Sequence, residues 1–388
     1  MLLRILSITI IVLFTGCSET TQEIPQPKAF YFGADLSYIN QILDHNGVYK
    51  EAGIDKNPFE VFQAHGTNLV RLRLWHNPLW TKEIYGVSGT QLYNDLKDVE
   101  RSIKKSKDAG MEVLLDFHYS DFWADPANQE IPAAWKSITS LPVLTDSIYQ
   151  YTFKTLRYLD SKGLMPEFVQ LGNETNCGMM FSNRPTNFPA INVCDRSWNW
   201  MGQVFNSAIK GVDDASATSI IKPKKILHVA DPKNLDWWFG NITNIGMVTA
   251  FDIIGFSYYP LWHTTISLGQ LSATTKIIKE KFNKDIMILE TAYPWTPESN
   301  DSYNNLFGSQ PPLNGFPYTQ QGQYEIMTTI AQAIKDAGGI GVVYWEPAWI
   351  TSEMKDSWGI GSSWENNAFF DYEGNVVKAM DYPSFNYK

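Results

Sequence analysis

Eight short runs of β-favouring residues recur along the chain, separated by segments of helix length. They cover residues 30–36, 68–75, 112–119, 168–174, 225–231, 252–259, 285–291 and 341–349. Each is rich in Val, Ile, Leu, Phe and Tyr, as strands are. Between them the apolar spacing changes to that of helices. Residues 92–109 place Leu96, Val99, Ile103 and Ala109 on one stripe, and Gly110 follows as a stop. Residues 147–159 and 324–337 repeat the pattern, with Gly163 and Gly338 after them. Strands alternating with helices predict an α/β chain, a single (β/α)8 TIM barrel. The third, fourth, sixth, seventh and eighth runs stay apolar almost to their C-terminal ends, as strands covered on both faces do. At 388 residues the chain exceeds a one-domain prior of roughly 150, but such barrels routinely pass about 250 as one unit. No repeat or linker interrupts residues 29–388, so they are read as one domain.

The first residues read as an address. Arg4 precedes an apolar run over 5–14, shorter than the roughly 20 residues a spanning helix needs and suited to a signal peptide. The run ends in Phe14-Thr15-Gly16-Cys17, which resembles a bacterial lipobox with Cys17 as the lipidated residue. Residues 1–16 are then the signal, and the polar, Pro-bearing segment 17–28 a tether. This predicts an exported outer-membrane lipoprotein, periplasmic or on the cell surface, that touches membrane only through its lipid. Cys177 and Cys194 remain, and the sequence leaves open whether they pair.

Composition narrows the partner. With 44% hydrophobic and 19% charged residues the chain can bury a sizeable core. Its 31 basic and 41 acidic residues give a net charge of −10, which argues against nucleic acid. The 14 Trp, 19 Tyr and 21 Phe exceed what packing alone usually takes, and aromatic platforms in an open cleft are a second use. No Gly-x-Ser-x-Gly, phosphate-binding loop or zinc spacing is present.

In such barrels the active site gathers at the C-terminal ends of the strands. Here those ends carry Arg71 and Arg73, then Asp116, His118, Ser120 and Asp121, then Asn173 and Glu174, Tyr258, Glu290, and finally Trp345. Glu174 and Glu290 would face each other across the mouth. A carboxylic acid and a carboxylate on opposite sides of a bond are what glycoside hydrolysis needs. Asp231, Trp237 and Trp238 follow the fifth run and are expected to border a subsite, although Trp238 could equally be packing.

Six ordered stretches resemble glycoside hydrolase family 53, the arabinogalactan endo-β-1,4-galactanases of clan A. They are GADLS at 33–37, VRLRLW at 70–75, DFHYSDFWADP at 116–126, VQLGNETN at 169–176, GFSYYP at 255–260 and YWEPAW at 344–349. The resemblance implies a monomeric, retaining endo-hydrolase of β-1,4-galactan, the side chains of type I arabinogalactan in pectin. Glu174 is then the acid/base and Glu290 the nucleophile, kept ionised by an Arg of the second strand and by Tyr258. Arg71 and Arg73 are not separable at this stage. Asn173 would bind the sugar 2-OH, and Trp345 would form the floor beneath that sugar. Trp123 and Trp295 are expected either to stack on successive rings or to pack their loops. His118, with Ser120 and Asp121, contacts sugar or supports a residue that does. No cofactor is required by the chemistry. The resemblance also implies calcium in the loop after the seventh strand, where Ser299, Asp301 and Asn305 offer oxygens. Two alternatives stay open: another clan A β-glycanase, such as a mannanase or glucanase, and a non-catalytic glycan-binding lipoprotein. The residues 293–323 and 181–197 supply long material for groove walls.

Overall fold

The computed structural model describes residues 30–388, so the signal, Cys17 and the tether expected over 1–28 lie outside the described residues. Eight parallel strands close into a barrel. They are β1 (Tyr31–Asp35), β2 (Leu69–Leu74), β3 (Glu112–Phe117), β4 (Phe168–Leu171), β5 (Lys224–Ala230), β6 (Ile253–Ser257), β7 (Asp285–Glu290) and β8 (Gly341–Tyr344). Closure is made by β1, whose Gly33 sits opposite Val343 on one side and Leu69 on the other. A side chain at Gly33 would drive into Val343, which is why the closing strand carries glycine there.

Seven helices cross over between successive strands among the described residues: α1 (Pro58–Ala64), α2 (Leu96–Asp108), α3 (Leu141–Ser161), α4 (Trp198–Ser216), α5 (Leu235–Asn244), α6 (Leu268–Phe282) and α7 (Gln320–Asp336). Local chemistry sets their limits. Asp95 caps α2 by accepting from the Asp98 N–H at 3.0 Å, so the helix begins four residues inside the span that its periodicity predicts. Thr319 does the same for α7 through the Gly322 N–H. After β8 the chain closes with a 3-10 turn, Lys378–Ser384, packed on α7 and containing Pro383, in the place of an eighth helix. No helix among the described residues is long and apolar enough to cross a membrane.

The barrel interior is layered by strand alternation. Its lower layer takes residues from every strand: Tyr31, Leu69, Leu114, Phe168, Ile226, Ile253, Met287 and Val343. Two residues further along β2, β3, β4 and β5, the inward positions become polar. Arg71, Asp116, Gln170 and His228 replace the apolar layer, all buried. The strand β7 departs from alternation. Ser257 of β6 pairs with Glu290, and Leu289 is the extra residue of a bulge. Without that bulge Leu289 and Glu290 would point to opposite faces. With it, Leu289 fills the space above Gly255, where a Cβ would meet it at 2.3 Å, and Glu290 also turns inward.

Regular pairing stops earlier than the sequence runs predict. β4 ends at Leu171 and β8 at Tyr344. Beyond them the backbone enters the left-handed region, with φ of +85° at Gly172, +44° at Glu174 and +48° at Glu346. Such angles are costly for side-chain-bearing residues and gather at functional sites. Cys177 and Cys194 form a disulfide, which settles the pairing the sequence left open and fastens the loop between β4 and α4.

Candidate active site

Arg71 organises the mouth. Its guanidinium donates to Asp35 at 2.7 Å, Asp116 at 2.8 Å, Gln170 at 3.0 Å and Asn173 Oδ1 at 2.7 Å. It also pairs with Glu290 at 3.0 Å. A side chain 1% exposed and shared among three carboxylates stays charged, and it is held there from three strands. Arg73 plays a different part. It pairs with buried Glu346 at 3.3 Å and lies 4.0 Å from the ring centre of Trp123 and 4.6 Å from those of Tyr38 and Trp75. The two arginines are thus separated: Arg71 serves Glu290, and Arg73 supports an aromatic wall.

Glu290 receives a second hydrogen bond, from the Tyr259 hydroxyl at 2.9 Å. This corrects the expectation for Tyr258, whose hydroxyl donates away from the mouth, to the Ile266 carbonyl. Alternation explains the shift: Ser257 points inward, so Tyr258 points out and Tyr259 in. Glu174 sits across from Glu290, with oxygens of the two carboxyls within 4.8 Å of each other. Burial and the charge of Glu290 push the Glu174 carboxyl well above the ordinary range. Burial also pushes Glu290 up, to about 7, against the opposing pull of Arg71. Two such groups cannot both ionise cheaply. Arg71 and Tyr259 stabilise charge on Glu290, so the shared proton resides on Glu174.

Both glutamates line a cavity of about 690 Å³ at the C-terminal mouth. Arg71, Arg73, His118, Trp123, Asn173 and Trp345 also line it, as the sequence predicts. Trp345 is braced edge-on by Trp364, 4.7 Å between ring centres, and offers a platform beside the carboxyl pair. Asn173 donates to the Ala124 carbonyl and accepts from Arg71, which holds its amide in one orientation. His118 accepts from the Trp75 indole and lies 3.0 Å from Asp116, so it buttresses Arg71 as well as facing the cavity.

Other expected site residues are elsewhere. Ser120 accepts from the Phe122 N–H, and Asp121 from those of Asn77 and Ala133, so both shape the turn after β3. Asp231 is occupied by its neighbour Lys233, through the backbone N–H and the ammonium. Trp238 is buried packing. Trp295 leans on Tyr372, 5.0 Å between ring centres, outside the cavity lining. The expected calcium ligands are only partly gathered: Ser299 and Asn305 touch at 3.0 Å, while Asp301 is engaged by backbone N–H groups. Asp301 has one oxygen on the Tyr303 N–H and the other on the Ser362 N–H. Asn305 presents its N–H, not its oxygen, to Ser299. The Asn305 oxygen is buried without a partner, but with both Asp301 oxygens engaged the set supplies too few free oxygens for calcium, which takes about six or more. Lining residues that strand-end reading missed include Tyr259, Trp262, His263, Tyr303, Trp358 and Trp364. Only Tyr259 had a signal, the alternation from Ser257.

An eight-stranded parallel barrel with buried carboxyls on the fourth and seventh strand ends, beside an indole platform, defines a glycoside hydrolase. Residues 31–382 match the sequence profile of glycosyl hydrolase family 53. The chain belongs to that family. It is 40% identical to an arabinogalactan endo-β-1,4-galactanase of Cellvibrio japonicus, over 95% of this chain and 93% of that protein. The Ignisphaera aggregans GH53 catalytic domain superposes with a TM-score of 0.81 at 29% identity, covering 94% of this chain and 98% of that one. A structure from a study of two fungal β-1,4-galactanases gives 0.75 at 27% identity, over 92% and 99%.

Proposed function

We infer that this protein is an endo-β-1,4-galactanase that cleaves galactan chains internally and with retention at the anomeric carbon. The observation that carries the chemistry is the Glu174–Glu290 approach within 4.8 Å. Retaining enzymes keep their carboxyls about 5–5.5 Å apart, whereas inverting ones leave room for a water and need about 6.5–9.5 Å. The substrate class rests on family membership and on the relatives named above. Glu174 protonates the leaving oxygen while Glu290 attacks the anomeric carbon. Glu174 then takes a proton from water, which hydrolyses the glycosyl-enzyme. Two carboxyls and a water suffice, so no cofactor is called for. Trp345 stacks under the sugar at the cleavage point, Trp123 extends that wall, and Asn173 orients the 2-OH.

The test is a time course of oligosaccharides released from β-1,4-galactan, with mannan and β-glucan in parallel. Early appearance of several galacto-oligosaccharides, with no release from the other two, is expected. Release from mannan or glucan instead would make the protein another barrel β-glycanase. No reducing sugar from any polymer would leave only glycan binding. We also propose that the protein acts as a monomer outside the cytoplasm, held at the outer membrane through lipid on Cys17. The Cys177–Cys194 disulfide supports an oxidising compartment.

A further inference from the structure

Behind Glu174 lie two side chains with no part in the roles above. His228, in β5, and Ser257, ending β6, are both fully buried. Their hydrogen bonds can be solved for protons. The backbone N–H of Glu174 points at His228 Nδ1 from 3.2 Å, and Gln170 Nε2 lies 3.0 Å from the same atom. A backbone N–H only donates, so Nδ1 accepts. The contact of Nδ1 with Asn173 Oδ1, at 2.9 Å, would suit the other tautomer. That oxygen already accepts from Arg71 and from Gln170, whereas the Glu174 N–H has no second acceptor among the described residues. Burial and the nearby charge of Arg71 hold His228 well below the ordinary imidazole range, so it is neutral. Its one proton is then on Nε2, which lies 3.0 Å from Ser257 Oγ. Ser257 accepts that proton's hydrogen bond and has one proton of its own. Its Oγ is 2.5 Å from Glu174 Oε1.

We propose that His228 and Ser257 are positioning residues that confine the acid proton of Glu174 to Oε2. They do so by holding a hydroxyl donor permanently on Oε1. The proposal rests on the reading of Glu174 as acid/base. In the first step the Oε2–H bond breaks and the proton goes to the glycosidic oxygen, which departs with the electron pair of its bond to the anomeric carbon. An oxygen of Glu290 forms the new bond to that carbon. In the second step water returns a proton to Oε2. Ser257 and His228 keep their own protons throughout, and the Ser257 hydroxyl faces the negative charge as it forms.

The other charged groups facing Glu174 are Glu290 from β7, Asp125 from the loop after β3 and Arg71 from β2. None is altered by changes at 228 or 257. Removing a donor from a carboxylate disfavours the charged form. Ser257→Ala should therefore move the alkaline limb of kcat/KM on galactan to higher pH, by about one unit. His228→Leu should move it the same way, and His228→Gln, which keeps an N–H near the Nε2 position, should bring it back. An aryl galactoside with a good leaving group needs no proton, so its glycosylation step should change little. Nitrogen NMR of histidine-labelled wild type should show His228 as neutral Nε2–H across the profile. An unmoved or lowered limb in Ser257→Ala, or a proton on Nδ1, overturns the proposal. If His228→Leu fails to fold, Ser257→Ala and the wild-type NMR still decide. Failure of the wild type to cleave galactan would instead strike the functional reading, and the tautomer would stand or fall on its own spectrum.

Discussion

Glu174 and Glu290 are the same side chain set to opposite tasks by what surrounds them. Glu174 is buried with one hydroxyl donor on its carboxyl; Glu290 is buried with an arginine and a tyrosine on its own. Replacing either with Gln should lower turnover on galactan by about 10²–10⁴-fold with the fold intact, as circular dichroism would check. The two should part on an activated aryl galactoside. Glu174→Ala should retain the glycosylation burst and Glu290→Ala should lose it, and equal behaviour would reverse or merge the roles. Tyr259→Phe tests the electrostatics. The Tyr259 hydroxyl stabilises the ionised Glu290, so its loss raises that pKa. The nucleophile then becomes protonated at higher pH, and the acidic limb of kcat/KM should move upward. An unchanged limb would mean that Arg71 alone sets the charge. Both glutamates could be read from the sequence because each ends an apolar run. Tyr259 could not be told from Tyr258, since both end the same run and only the inward direction of Ser257 decides between them.

The loop from β7 to α7 shows how an element can mislead. Its length and polar composition suggested a groove wall, with Trp295 either stacking on sugar or packing the loop, and the family resemblance implied a calcium site. In the structure Tyr303 and Leu306 do line the cavity, while Trp295 and the stretch at Asn300 pack as a flap. Trp295 rests on Tyr372, and Glu365, 2% exposed, accepts from the backbone N–H groups of Asn300 and Asp301. Trp295→Ala should therefore lower stability, by on the order of 2 kcal/mol, visible as a drop in Tm. Rates on a ladder of galacto-oligosaccharides should fall equally at every length. A loss confined to longer oligomers would place Trp295 at a distant subsite after all. The same packing predicts that a chelator leaves Tm unchanged while Glu365→Gln lowers it, since carboxylates rather than an ion gather the backbone N–H groups. A chelator-induced drop in Tm would restore the metal. Sequence could not reveal this because Glu365 lies some 60 residues from the loop it fastens.

Across the whole molecule, the barrel and the proposed lipid tether should be separable. Cys17→Ser should release the protein from the membrane fraction with its activity on galactan unchanged, because the described barrel begins at residue 30. Loss of activity on release would show that anchoring is part of catalysis. The barrel itself followed from the chain alone. Eight strand runs alternate with stretches of helical spacing, and local hydrophobic spacing survives in a linear reading because each element buries its own face. The facing of Glu174 and Glu290 followed as well, since strand ends and barrel mouths coincide. What the linear reading could not reach depends on geometry between strands. The β7 bulge that admits both Leu289 and Glu290 is a matter of register with β6. The division of labour between Arg71 and Arg73 depends on which carboxylates four other strands and their ends bring within 3.3 Å. The His228–Ser257–Glu174 chain joins β5, β6 and the end of β4, residues that become neighbours only when the sheet closes. Spacing along one strand carries no record of its partner's register, and so these decisions belong to the folded barrel.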